Sequence, residues 1–482
     1  MTIAFESAIS LAQKIKDKEI SSKELTEYFI NRIEKYDEPI NAVVVRDFDR
    51  ALEAAVAADE KQAKGGRLGP LHGLPMTVKE SYNIAGLPTH WGIEALKDNI
   101  AQTDAYYVTQ LKRAGAVFMG KTNVPVSLSD FQSYNPVYGT TGNPWDVGRT
   151  PGGSSGGSAA ALAAGFTGLE AGSDIGGSIR NPAHFCGVFG HKPTYGIVPW
   201  QGHELPGMNK MADLAVVGPL ARAPEDLTLS MDLVAGAEPL NTGWKLDLPR
   251  TNKSSLKEFK VAIWNGQDGF PVSQETGERV EMVAETLAKA GATVSTTARP
   301  QIDINDSWRT YIALLNGALS ASVPPDQYAA MAEMAASFSD DDLSDMAVSI
   351  RGTVQDHKTW NGLENHRTGL RLAWQAFFKD WDIVICPQMP TSAFPHDHSN
   401  FFTRKLIVDN QEIDYMQQLF WAGLTGVTYL PSTVFPTGPS KEGLPIGLQA
   451  VGGEFMDYQC IDFTRLLADE IGGFVAPPGF ED

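Results

Sequence analysis

A chain of 482 residues, 43% apolar and 20% charged, has ordinary globular composition and is long enough to bury a sizeable core. Its 58 acidic against 39 basic residues leave a net charge of −19, a field that repels nucleic acid and anionic membrane surfaces and argues against either as a partner. Cys186, Cys386 and Cys460 are odd in number and widely spaced, which excludes a disulfide framework and a Cys-x-x-Cys metal site. Charges interrupt the N-terminal "MTIAFESAISLAQKIKDKEI" where a signal peptide needs an apolar core, and no run approaches about 18 apolar residues. The expectation is a cytoplasmic protein.

In chain order, the first 65 residues read as helices, with Leu11 and Ile15, then Leu25, Phe29 and Ile33, at helical spacing. Ser21 and Glu24 form a candidate capping box. "INAVVVRD" reads as a strand and "RALEAAVAADEKQAK" as a helix; "LPMTVKE" is strand-like, "DAYYVTQLKRAG" helical and "AVFMG" a strand. "SGGSAAALAAG" is a helix opened by glycine and serine. "FKVAIW", the helix "SQETGERVEMVAETLAKAG", "ATVSTT", "DIVICP" and "YLPSTVFP" follow, and the acidic "AASFSDDDLSDMAVS" reads as a surface excursion. This alternation predicts an α/β fold: a mixed, mostly parallel twisted sheet with helices on both faces. No internal repeat and no long linker divides residues 1–482, so a single domain is expected.

Three motifs fail on inspection. "GAVFMGKT", Gly115 to Thr122, matches the phosphate-loop pattern letter for letter, but Ala, Val, Phe and Met want burial as a strand, and proline follows where the helix should begin. "GGSSG" and "GSSGG" satisfy the hydrolase elbow around Ser154 or Ser155, yet no histidine follows His398 to complete a triad. "PHDHSN" pairs His396 with His398 without a third ligand nearby, so no metal is expected.

A second glycine turn, "GSDIGGSIRNPAHFCGVFGHKPT", places Ser178 after two glycines and before a helical turn, where successive backbone N–H groups converge on one point. Upstream, Lys79 closes an apolar strand beside Met76 and Val78, and lost hydration there disfavours its charged form. Taken singly, each feature has an ordinary reading: a plain turn, a snorkelling lysine, and for Asp174 and Arg180 a helix-cap ion pair. Their conjunction is what reverses those readings. Cys186, in "HFCGVFG", reads as a buried, inert thiol.

"GLPMTVKE", "KTNVP", "NPWD", "GGSSGGSAAALAAG", "GSDIGGSIRNPA" and "GHKPT", in this order from about Leu71 to Thr194, resemble the amidase signature family of serine hydrolases. "LPIGLQAVG" resembles its closing strand, so the likeness spans nearly the whole chain, with a signature core at about 71–194. The resemblance implies that Ser178 is the nucleophile, Ser154 a bridging serine after a cis Gly153–Ser154 peptide, and Lys79 the terminal base. It further implies an oxyanion hole from the N–H groups of Ile175, Gly176, Gly177 and Ser178, supported by Ser155, Asp174 and Arg180, and no cofactor. Glu80 departs from the aspartate more usual there, a difference that bears on local packing.

The assignments fit the chemistry of amide cleavage. An amide needs both an activated nucleophile and a protonated leaving nitrogen, and a lysine reached through a serine can take the proton and return it. At an ordinary pKa of about 10.4 only roughly one lysine in 2500 is neutral at pH 7, so burial must lower it far. "NVPVSLSDFQSYNP" follows the family's substrate-facing stretch, which makes Leu128, Ser129 and Phe131 candidates for an acyl pocket. Trp91, Trp200 and Phe131 would favour aromatic or alkyl groups. The expected activity is hydrolysis of a small amide, anilide or carbamate by a monomer or homodimer. The alternatives are the glutamine-hydrolysing component of a tRNA-dependent amidotransferase and a non-catalytic binding protein on the same scaffold.

Overall fold

The computed structural model describes residues 2–401 and 403–480. The expected capping box opens the helix Ser22–Tyr36: Ser21 Oγ accepts from the Glu24 N–H at 3.1 Å and the Glu24 carboxylate accepts from the Ser21 N–H at 2.9 Å. Leu25, Phe29 and Ile33 turn inward from it. The helix shields a three-stranded sheet in which Val117–Thr122 lies between Val43–Arg46, antiparallel, and Pro75–Lys79, parallel. Every residue of Pro75–Lys79 and Val117–Thr122 is buried. The stretch matching a phosphate loop is therefore this interior strand, as its apolar letters predict, and both lysines on the strands are carried inside.

The larger sheet runs, edge to edge, Thr293–Ser295, Lys260–Ile263, Ile383–Pro387, Pro445–Val451, Ser432–Pro439, Phe189–Lys192, Val216–Ala221 and Glu170–Asp174. All seven residues of Pro445–Val451 are buried, so both faces of the sheet are covered there. The first three strands pair in parallel and the remaining neighbours antiparallel, which is less parallel pairing than the alternation of apolar runs suggests. The reason lies in the connections. Ser432–Pro439 folds straight back into Pro445–Val451, and Phe189–Lys192 reaches Val216–Ala221 through a loop with no crossover helix.

The acidic surface stretch is partly helical: it spans the end of Pro325–Ser337, a helix with no buried residue, and the start of Asp345–Thr353. The helix Gly156–Ala163 is the opposite case, wholly buried along its glycine- and alanine-rich length. Its start docks on the strand-end residue Asn123, with the Gly157 N–H donating to Asn123 O at 3.2 Å. A Cβ at Gly157 would stand 2.3 Å from the Asn123 nitrogen and 2.7 Å from its oxygen. Alanine would gain about 1 kcal/mol of helix propensity, but overpacking against immovable backbone costs about 1–3 kcal/mol. Gly157→Ala is expected to destabilise the protein, read as a lowered midpoint in urea denaturation.

Candidate active site

Lys79 ends its strand opposite Thr122 and is 0% exposed. Its Nζ donates to Ser154 Oγ at 2.7 Å and to Ser173 Oγ at 2.9 Å. Burial drives its pKa well below the ordinary lysine value, and the nearby Asp174 and Glu80 only partly oppose this. Glu80 is equally buried; its carboxylate accepts from the backbone N–H groups of His90 at 2.8 Å and Trp91 at 2.9 Å. The glutamate thus has a packing role of its own, fastening the loop that follows. Lys121, on the adjacent strand, is also inside and is lowered by burial to about 8, while Glu80 works against that shift.

Two serine-bearing turns are clasped beside this lysine. The Gly153–Ser154 peptide is cis, as the resemblance implies. The Ser155 N–H donates to Ser178 O at 3.1 Å, and the Gly153 N–H to Asn181 Oδ1 at 2.9 Å, which sets the first turn against the second. Contact is close: a Cβ at Gly172 would lie 2.7 Å from Ser155 Oγ and 2.8 Å from Leu220 Cδ1, so these side chains would have to shift to admit one. Ser178 itself is 8% exposed and follows Gly177, whose φ of +110° is in the left-handed region.

Asp174 and Arg180 hold the second turn from within. Asp174 Oδ1 accepts from Arg180 Nη2 at 3.0 Å and Oδ2 from Arg180 Nε at 3.0 Å, both side chains being buried. Arg180 reaches on to Thr425 Oγ1 at 2.8 Å and Gln449 Oε1 at 3.2 Å. Burial pushes the Asp174 carboxyl up, but the guanidinium outweighs it and holds the pKa at about 2. Asp174 also accepts the N–H groups of Gly177 at 2.8 Å and Ile179 at 3.1 Å. This corrects one expectation: the Gly177 N–H is already bound. Among the described residues, the N–H groups of Ile175, Gly176 and Ser178 are left without an acceptor.

Of the pocket candidates, Phe131 is buried and comes to the turn, its Cε1 lying 3.8 Å from where a Cβ on Gly177 would stand. Ser129 is exposed and donates its hydroxyl to Ser127 O at 3.0 Å; Leu128 is half-buried, with a φ of +59°. Trp91 packs on His203, ring centres 5.4 Å apart, and Trp200 belongs to the core around the first sheet. Sequence reasoning passed over Leu419, Tyr311, Ala422 and Gln388, which close round Gly176 and Gly177 from the C-terminal half. It also passed over Ser173 and Gln449. The available signal was a polar residue inside an otherwise apolar buried strand, as in "LPIGLQAVG". Cys186 is buried and its thiol is pushed well above the usual range by burial. His398 stacks on Tyr134 with ring centres 3.8 Å apart, and among the described residues no group of three His, Cys, Asp or Glu side chains is placed to hold a metal ion.

The family pattern described as Amidase matches residues 24–461. An indoleacetamide hydrolase of Bradyrhizobium diazoefficiens is 34% identical over 476 residues, covering 97% of this chain and 86% of the relative. One component of the glutamyl-tRNA(Gln) amidotransferase of Prochlorococcus marinus is 31% identical over 470 residues, covering 92% of this chain and 93% of its own. A solved bacterial aryl acylamidase of the amidase signature family superposes with a TM-score of 0.81 over 97% of this chain and 96% of its own, at 24% identity, a likeness of fold. No helix of the described residues is long and apolar enough to cross a membrane. The chain belongs to the amidase signature family and is an amidohydrolase.

Proposed function

We propose that the protein hydrolyses the C–N bond of a small amide, anilide or carbamate through an acyl-enzyme on Ser178, with Ser154 and Lys79 as a proton relay. The observation that carries this reading is the 2.7 Å contact between Ser154 Oγ, on the turn clasped to Ser178, and the buried Lys79 amine, whose pKa burial drives well below the ordinary lysine value. Ser178 Oγ attacks the carbonyl carbon as its proton passes through Ser154 to Lys79. Negative charge on the former carbonyl oxygen meets the open N–H groups of Ile175, Gly176 and Ser178. The proton returns by the same path to the leaving nitrogen, and water then hydrolyses the ester.

Phe131, Leu419, Ala422 and Tyr311, whose hydroxyl donates to Ile175 O, stand round the turn beside Gln388, a mainly apolar wall that suits an aromatic or alkyl acyl group. None of the four offers a charge to the ammonium or carboxylate of glutamine, which favours a free-standing amidase over one component of an amidotransferase. Turnover of a panel of arylacetamides, anilides, carbamates and glutamine tests this: activity confined to glutamine would reverse the preference, and no activity with any amide would favour a binding protein.

Ser178→Ala is expected to lose about 10⁴-fold or more in kcat while keeping the wild-type unfolding transition, and Lys79→Ala and Ser154→Ala to slow acylation non-additively. A fluorophosphonate should label Ser178, read by mass mapping of the modified peptide; wild-type turnover in Ser178→Ala would end the mechanism. Because the amine works neutral, kcat/KM should rise as pH rises through the lowered Lys79 pKa, and this limb should vanish in Lys79→Ala. Asp174 titrates at about 2 when folded and about 3.9 unfolded, so its stabilisation is full above about pH 4 and lost as pH falls through about 2. Arg180→Met leaves that buried carboxylate unpaired and should cost about 3–5 kcal/mol of unfolding free energy in urea denaturation at pH 7.

A further inference from the structure

Gln388 follows the strand Ile383–Pro387 and is 0% exposed, yet among the described residues neither its Oε1 nor its Nε2 has a hydrogen-bond partner. Buried carboxamides are normally satisfied, since stripping both polar ends of water without replacement is costly. The backbone beside it is fixed: Pro387 O accepts from Gln449 Nε2 at 3.0 Å, and the same Gln449 donates to Trp421 O at 2.9 Å and accepts from Arg180 at 3.2 Å. Its carboxamide end packs against the turn that carries Ser178. A Cβ on Gly177, the residue before Ser178, would stand 3.1 Å from Gln388 Nε2. Its other close neighbours there, Ala422 and Phe131, are apolar, so the polar atoms beside Gly177 come from Gln388, while the Tyr311 hydroxyl lies by Gly176 and donates to Ile175 O at 3.3 Å.

We propose that Gln388 is a specificity-determining residue that reads the unsubstituted edge of the scissile amide, a reading that rests on Ser178 being the nucleophile. Its Nε2 donates to the substrate carbonyl oxygen and its Oε1 accepts one N–H of the leaving nitrogen. A carboxamide presents donor and acceptor side by side, and so does a primary amide or an unsubstituted carbamate, whose oxygen and syn N–H point the same way. A trans secondary amide turns its N–H to the opposite side, and an ester has none. A site built to hydrogen-bond a substrate N–H discriminates against the analogue that lacks it, because its own polar atom is then left unpaired. The favoured substrate class is therefore a primary carboxamide on an apolar acyl group.

The test is a matched series of phenylacetamide, N-methylphenylacetamide and methyl phenylacetate with wild type, Gln388→Met and Gln388→Leu. In either variant the kcat/KM ratio of phenylacetamide to methyl phenylacetate is expected to fall at least about fivefold. A general loosening of the site would slow both substrates alike, and a smaller change in the ratio overturns the proposal. Fluorophosphonate titration shows that Ser178 is intact in each variant. Independently of whether a variant folds, wild type must prefer phenylacetamide to N-methylphenylacetamide by at least about tenfold, and parity overturns the proposal. If the reagent does not label Ser178 in wild type, the nucleophile assignment fails; if it does and the ratios do not move, Gln388 alone fails.

Discussion

The buried ion pair between Asp174 and Arg180 is the constraint on which the site is built. Each partner alone would be costly inside; together they spread their bonds over the turn between them and two distant segments. Asp174 closes the edge strand Glu170–Asp174, and Arg180 opens the helix Arg180–Cys186. The residues between them include the open N–H groups and Ser178. A chain so short, pinned at both ends by an ion pair and in its middle by the Gly177 N–H, has little freedom left. The serine is thereby oriented without a rigid element of its own.

The second requirement of the proposed relay, a lysine whose pKa is lowered, rests on a different device. The strand Pro75–Lys79 is buried along its whole length, so Lys79 loses water whichever way it turns. Hydroxyls of Ser154 and Ser173, not a carboxylate, receive its Nζ. An ion pair at that position would hold the proton on the lysine and defeat a relay. The acidic neighbour Glu80 is engaged elsewhere, by the backbone N–H groups of His90 and Trp91. The longer glutamate arm, where a shorter aspartate is more usual, makes a local connection and leaves the amine free.

The wall beside the turn of the proposed nucleophile comes from a separate part of the chain. Tyr311 lies on the helix Ile304–Leu319, Leu419 and Ala422 on and after the turn Tyr415–Leu419, and Gln388 after a central strand. On the proposed mechanism the signature core supplies the reacting groups, and the C-terminal half supplies what the acyl group would meet. Chemistry and selectivity are thus carried on different segments joined by Arg180 and Gln449.

Much of the candidate site was legible in the letters. Glycine-flanked serines, an apolar strand ending in lysine and an Asp-x5-Arg spacing are local patterns, and local sterics and hydration decide them. The capping box at Ser21 and the strand at Val117–Thr122 were legible for the same reason. Pairing sense in the large sheet was not, because an apolar run shows burial and says nothing of which neighbour it finds. The engagement of the Gly177 N–H by Asp174, the Ser173 contact to Lys79 and the approach of Gln388 to Gly177 were also hidden. Each depends on residues brought together across the chain, and only the packed sheet fixes their distances. Sequence alone singled out the groups proposed to react; tertiary structure decided which donors stay open and what stands over them.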